Sequence, residues 1–105
     1  MNRIKKFRIP LGNDTILDVR LEVESGEIKE FALNMRSKIG NDWREVYRVD
    51  TAHGYLHEQR FWISAKPTPI KQQSQMQYAF EHYMEQIKNN FERYRKYYLE
   101  KSNRR

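Results

Sequence analysis

The sequence predicts an α+β fold, in which an antiparallel β-meander of four or five strands packs against one long C-terminal α-helix. Two patterns support this prediction. Residues 3–63 alternate apolar and polar side chains with period two, and residues 70–101 repeat apolar side chains at helical spacing. The prolines and glycines fall between the predicted elements. A chain of 105 residues suits a single domain, residues 1–105, with one core.

Four strands follow from the period-two alternation, and short turns separate them. They cover residues 5–9, 15–24, 28–35 and 43–50. Sequential strands with short connections favour an antiparallel meander with one buried and one wet face. In the fourth strand, Trp43, Tyr47 and Val49 are expected on the buried face. Residues 61–63 are expected either to form a fifth strand or to pack under the connector that precedes the helix.

The predicted helix carries a continuous apolar stripe, formed by Met76, Phe80, Met84, Ile87, Phe91, Tyr94 and Tyr98. A helix over residues 70–101 would be about 45 Å long, whereas an eight-residue strand spans only about 27 Å. The helix is therefore expected to extend beyond its sheet. Exposed aromatic stripes often mark interfaces, so we expect a homodimer formed through the C-terminal helix. Residues 102–105 are expected to fray.

Composition and charge limit the function classes. The chain has 20 basic and 14 acidic residues, a formal net charge of +6, which favours an anionic partner such as RNA, DNA or an acidic protein. The absence of cysteine excludes disulfides, thiolate zinc sites and a cysteine nucleophile. No apolar run reaches membrane-spanning length, and no apolar segment follows the basic first residues. We therefore expect a cytoplasmic protein without a membrane partner.

The segment from residue 48 to residue 60 is the candidate site. Histidine can act as acid or base near neutral pH, so His53 and His57 are the predicted catalytic pair. Asp50 would orient one imidazole ring. Arg48 and Arg60 would bind phosphate, because the guanidinium group offers a fixed fork of donors. Such a site would cleave RNA without a metal or other cofactor.

Two other interpretations of this segment stay open. Asp50, His53 and His57 form a carboxylate–histidine–histidine set that suits zinc, iron or manganese. The neighbouring Arg48 and Arg60 argue against a cation there, because they add positive charge. In the second interpretation the segment is structural, with Asp50 in an ion pair with Arg48 and the histidines as ordinary surface residues.

The run Tyr47-Arg48-Val49-Asp50-Thr51-Ala52-His53-Gly54, with His57 following, resembles the arginine-x-aspartate-x-x-histidine signature of small proteins of prokaryotic toxin–antitoxin loci, including the TumE-like toxins. In that group a few strands precede the signature and a helix follows it. The resemblance implies a ribonuclease-type toxin that acts on RNA and is neutralised by an antitoxin protein. It would place the site at Arg48, Asp50, His53 and His57. After His57 this chain continues with Glu58-Gln59-Arg60, so it has fewer histidines here than TumE-like proteins.

Two functional hypotheses follow from these observations. The first is an RNA-binding protein or metal-independent endoribonuclease that acts on the phosphodiester through the histidine, arginine and aspartate cluster. The second is a non-enzymatic dimeric binding module whose interface is the long helix.

Overall fold

The computed structural model describes residues 2–71 and 75–102, without the side chains of His53 and Ser102. The fold is α+β, as predicted, and its elements form two layers. The strands are β1 (Asn2–Gly12), β2 (Thr15–Glu24), β3 (Glu27–Ile39), β4 (Asp42–Asp50), β5 (His57–Arg60) and β6 (Thr68–Pro69), and the helix is α1 (Met76–Ser102). A one-turn 3-10 helix, Ala52–Gly54, precedes β5. The strands form one antiparallel meander in sequence order, with six strands instead of four or five.

The β2–β3 hairpin shows how local sequence selects the meander. Its two loop residues, Ser25 and Gly26, have φ angles of 53° and 79°. Positive φ at both positions is the conformation of the two-residue turns whose twist matches that of paired strands. The turn sets Val23 opposite Ile28, and a bulge with Lys29 as the extra residue then places Leu21 opposite Phe31.

The core lies between one face of the sheet and α1. The central strands contribute large apolar side chains at alternate positions, namely Leu17, Val19, Leu21, Phe31, Leu33 and Met35. From α1, Ala79 and Ile87 are buried against them, and the rings of Phe31 and Phe80 meet edge to face at 5.6 Å. The alternate apolar side chains of the strands therefore pack against the apolar stripe of α1. Every residue of the predicted stripe contributes to this interface.

A β-bulge in β4 changes which residues of that strand are buried. Met35 pairs with Tyr47 and the next residue, Arg36, pairs with Glu45, so Val46 is the extra residue in β4. Val46 and Tyr47 are both buried, which a regular two-residue alternation does not allow. The prediction that Trp43 shares the buried face is wrong for this reason: Trp43 pairs with Lys38 and is 45% exposed.

The helix begins six residues later than predicted, at Met76 instead of residue 70. The chain just before residue 70 extends the sheet, because Thr68–Pro69 forms β6 on the outer side of β5 and the Ile70 amide donates to the Leu56 carbonyl. Residues 61–63 do not form the fifth strand, which is His57–Arg60. At the other end, α1 includes Ser102, and the rest of the predicted frayed tail lies outside the described residues.

The length mismatch behind the predicted homodimer is absent. β3 has 13 residues, or about 43 Å, and the 27 residues of α1 span about 40 Å. The C-terminal aromatics of α1 also find partners within the chain: the ring of Trp62 lies 5.2 Å from that of Tyr94 and 5.5 Å from that of Tyr97. Lys101 donates a hydrogen bond to the Phe61 carbonyl at 3.1 Å. The homodimer stays a prediction, but covering the stripe does not require it.

Candidate functional site

The predicted site lies on the face of the sheet opposite α1, which we call the helix-free face. Val49 is buried in the core, so its neighbours in β4, Arg48 and Asp50, point to the other side, as predicted. Cross-strand partners share a face, and the register aligns one row of residues across five strands. That row is Lys6, Arg20, Ala32, Asp50 and His57, and the adjacent row is Arg8, Asp18, Asn34, Arg48 and Gln59.

Asp50 is the centre of a chain of hydrogen-bonded side chains formed by Arg48, Asp50 and His57, which we call the buried chain. The residue is only 3% exposed, and its carboxylate accepts three hydrogen bonds. Arg48 Nε donates to Oδ2 at 2.5 Å, the Ala52 amide donates to Oδ1 at 3.1 Å, and His57 Nε2 lies 2.7 Å from Oδ1. A buried carboxylate is tolerated when it is paired and hydrogen-bonded in this way.

His57 is held from both sides of its ring. Nε2 faces Asp50, and Nδ1 lies 3.2 Å from the Tyr55 carbonyl oxygen. Both partners are acceptors, so both contacts are hydrogen bonds only when each ring nitrogen carries a hydrogen. The residue is 5% exposed. Because the residue is buried and both ring nitrogens face acceptors within the protein, the geometry of His57 suits positioning of Asp50.

The turn before β5 brings His57 back to Asp50. Thr51 anchors it: its hydroxyl accepts a hydrogen bond from the Phe31 amide at 2.9 Å, and its own amide donates to the Phe31 carbonyl at 3.0 Å. Gly54 ends the 3-10 helix with a φ of 83°, a conformation that favours glycine. The predicted bend at His53 and Gly54 is thus present in the backbone, and the side chain of His53 lies outside the described part of the structure.

Arg60 does not join this chain of contacts. It pairs with Tyr47 across β4 and β5, so it lies on the face that packs against α1. There its guanidinium binds Glu58 at 3.0 Å, and Glu58 also accepts a hydrogen bond of 2.6 Å from the Tyr47 hydroxyl. The predicted convergence of Arg60 with Arg48 is therefore wrong. Arg48 pairs with Gln59, and the next residue, Arg60, points to the opposite face.

Arg48 links the buried chain to an open depression of about 540 Å³ on the helix-free face. Four cationic side chains, Lys6, Arg8, Arg20 and Arg48, line it together with one acidic residue, Asp18, so the ionisable lining carries a net charge of +3. The small side chain of Ala32 lies between Arg20 and Asp50 in its row and leaves room there. In the described part of the chain, Lys6 and Arg20 have no ion-pair partner.

Asp18 partly neutralises this lining. Arg8 Nε binds its Oδ1 at 2.8 Å, and Arg36 binds its Oδ2 at 2.5 Å. Burial alone would raise the pKa of Asp18, but the hydrogen bonds and charges of the two arginines outweigh it and hold that pKa below its ordinary value of 3.8. Asp18 thus stays ionised near neutral pH and orders two arginines, of which Arg8 lines the depression.

The alternative metal site gains no support from the side chains that the structure describes. Among them, no group of three histidine, aspartate or glutamate residues could hold a metal ion. Asp50 and His57 are together, but both carboxylate oxygens already accept hydrogen bonds.

Comparison with known proteins places the chain in a family. A family model described as a domain of unknown function, DUF7718, matches residues 2–104. The chain belongs to the DUF7718 family. No curated protein and no solved structure matches this DUF7718 chain. Across residues 2–71 and 75–102, no helix is long and apolar enough to cross a membrane.

Sequence reasoning missed the residues that β1 and β2 bring to the site of this DUF7718 domain. Lys6, Arg8 and Arg20 lie far from Arg48 in the chain, and only the strand register unites them. The signal was present in part, because Asp18 and Arg20 alternate with buried residues in β2. The pairing of β2 with β3 and of β3 with β4 was needed to place them beside Arg48.

Proposed function

We propose that this chain binds RNA through the depression on the helix-free face, with Arg48 as one of the phosphate-binding residues. The observation that carries the proposal is the set of four cationic side chains around an open depression, two of them without an ion-pair partner in the described residues. Such a lining attracts the phosphate backbone and gives binding that weakens with salt.

Arg48 suits this role because its orientation is fixed. Its Nε is bound to Asp50, and its Nη1 lies 3.9 Å from Glu45 Oε1. Its side chain is about one-third exposed and lines the depression. Asp50 is in turn held by His57 and the Ala52 amide. The buried chain therefore acts as a support that presents the Arg48 guanidinium to a phosphate oxygen, which would compete with Glu45 for it.

An exposed aromatic ring lies next to this support. Tyr55 is 44% exposed, and its ring lies 5.0 Å from the ring of His57. Unpaired bases stack on exposed aromatic rings in single-stranded nucleic acid complexes. This neighbour favours single-stranded over double-stranded RNA as the ligand.

Binding is the part of the first hypothesis that the geometry supports best. Cleavage would need a free imidazole, and both nitrogens of His57 face acceptors. An endoribonuclease version would therefore depend on His53, or on release of His57 from Asp50 when RNA binds. The resemblance to toxin–antitoxin proteins adds a cellular setting to the proposal: an RNA-directed toxin of the cytoplasm, kept inactive by an antitoxin.

Binding is tested with a fluorescent oligouridylate of about ten nucleotides, a typical single-strand site size. We expect Arg20→Ala to weaken binding several-fold, because it removes an unpaired cation of the depression. Lys88→Ala, an exposed cation on α1, is the matched control and should bind like the wild type. Equal effects of the two variants would show non-specific attraction and contradict the proposal.

Cleavage is tested with the same RNA in EDTA. The binding version predicts intact RNA with the wild-type protein. Cleavage by the wild type that is abolished in His57→Ala or His53→Ala would establish the endoribonuclease version instead. If His57→Ala abolishes cleavage and His53→Ala does not, the supporting role assigned to His57 would be wrong.

A further inference from the structure

The outer edge of β1 is a long, open strand edge. β1 has 11 residues and is paired on one side only, with β2. In an antiparallel strand every second residue directs its N–H and C=O groups to the outer edge, where another strand can pair. The opposite edge of the sheet is different: β6 has two residues, one of which is Pro69. A two-residue edge with proline resists strand addition, whereas β1 offers the eight residues 2–9 before its own Pro10.

The charges of β1 are of one sign. It contains Arg3, Lys5, Lys6 and Arg8 and no acidic residue. Arg8 is paired with Asp18, and the other three cations have no ion-pair partner in the part of the chain that the structure describes. They occupy both faces of the strand, since Lys5 is opposite Leu21 and Lys6 is opposite Arg20.

The same strand exposes apolar side chains. Ile4 is 55% exposed on the helix-free face, and Phe7 is 44% exposed on the other face. An added strand would cover part of both through cross-strand contacts. A second copy of β1 is a poor candidate, because its cations would lie against these cations. An acidic strand would neutralise them, so the charges discriminate against self-pairing and favour an anionic polypeptide.

We infer that the outer edge of β1 binds an extended acidic segment of a partner protein by strand addition. Backbone hydrogen bonds to the open edge supply affinity, and the cations of β1 supply selectivity for glutamate and aspartate side chains. This edge adjoins the depression, because Lys6 and Arg8 of β1 line it. Strand addition uses the outward backbone groups of β1 together with Arg3 and Lys5, which do not line the depression, so the inference does not depend on RNA binding.

The probe is a capped peptide of alternating valine and glutamate. Binding is followed by fluorescence anisotropy, and hydrogen exchange reports on the backbone amides of β1. We expect the peptide to slow exchange of alternate β1 amides. The double variant Arg3→Ser/Lys5→Ser should weaken binding about fivefold through the loss of two exposed ion pairs, and Lys88→Ser/Arg93→Ser on α1 is the charge-matched control.

Two further arms separate strand pairing from simple charge attraction. A peptide of alternating proline and glutamate keeps the carboxylates but lacks half of the backbone donors, so it should bind far more weakly. Arg20→Ala should weaken oligouridylate binding and leave the peptide unaffected. Three results would each overturn the inference. They are equal binding of both peptides, unchanged exchange of the β1 amides, and loss of peptide binding in Arg20→Ala when Arg3→Ser/Lys5→Ser still binds the peptide. Peptide binding with protection, in a protein that fails to bind RNA, would sustain it while refuting the proposed function.

Discussion

Replacement of Asp50 by alanine tests the buried chain that supports the site. Asp50 accepts hydrogen bonds from Arg48, Ala52 and His57. Arg48 is partly exposed and can turn to solvent, and Ala52 is an exposed residue, but the ring of the buried His57 cannot turn out easily. A buried donor without an acceptor costs about 1–3 kcal/mol, and breaking a buried pair typically costs about 3–5 kcal/mol. We therefore expect Asp50→Ala to lower the free energy of unfolding by about 3–5 kcal/mol.

The assay is urea denaturation at pH 7, and the matched control is Asp18→Ala. Asp18 also binds two cationic side chains, but its own side chain is 32% exposed, against 4% for that of Asp50, and both of its partners are arginines that reach solvent, so its loss should cost about 1 kcal/mol or less. Asp50→Asn keeps an acceptor oxygen for the Ala52 amide and should fall between the two. If Asp50→Ala destabilises the protein no more than Asp18→Ala does, Asp50 is not a buried structural centre and the reasoning is refuted.

Three further predictions concern single contacts. Tyr47→Phe removes the hydrogen bond that the buried Tyr47 hydroxyl donates to the Glu58 carboxylate. It should lower the free energy of unfolding by about 1–2 kcal/mol in the same urea assay. No change would mean that water satisfies the hydroxyl equally well in the unfolded chain. The lowered pKa of Asp18 means that its ion pairs contribute stability above pH 3.8, the ordinary value, and that this contribution disappears as the pH falls through the lower folded value. The stability difference between the wild type and Asp18→Asn should therefore shrink on acidification below pH 3.8, and a difference that grows would contradict the assignment. Ser25→Asn should raise the midpoint of thermal unfolding slightly, because asparagine tolerates the positive φ of the turn before Gly26 better than serine does; a lower midpoint would show that strain at residue 25 is not limiting.

The fold was predictable because local patterns agree with one another. Alternation in residues 15–24 matches β2, and the helical stripe matches the packed face of α1. The failures have physical causes that local patterns do not encode. The bulge at Val46 shifts one strand by a residue and exposes Trp43. The start of α1 is later than predicted because Thr68–Pro69 pairs with β5 instead of opening the helix.

The site was predictable only along the chain. Arg48, Asp50 and His57 come together because a strand end, a 3-10 turn and a return strand place them in adjacent rows. Their chemistry depends on burial, which spacing does not reveal: the spacing of Asp50 and His57 does not predict that their side chains are buried against each other. Arg60 illustrates the same limit, because a side chain near in sequence points to the opposite face.

The central claim is that the depression around Arg20 and Arg48 is where RNA binds. Titration of isotope-labelled protein with oligouridylate, followed by nuclear magnetic resonance of backbone amides and arginine side chains, tests it most directly. We predict that the largest shifts fall on Lys6, Arg20, Ala32 and Arg48 and that residues of α1 stay unchanged. Shifts concentrated on α1, or none on the helix-free face at saturating RNA, would contradict the claim.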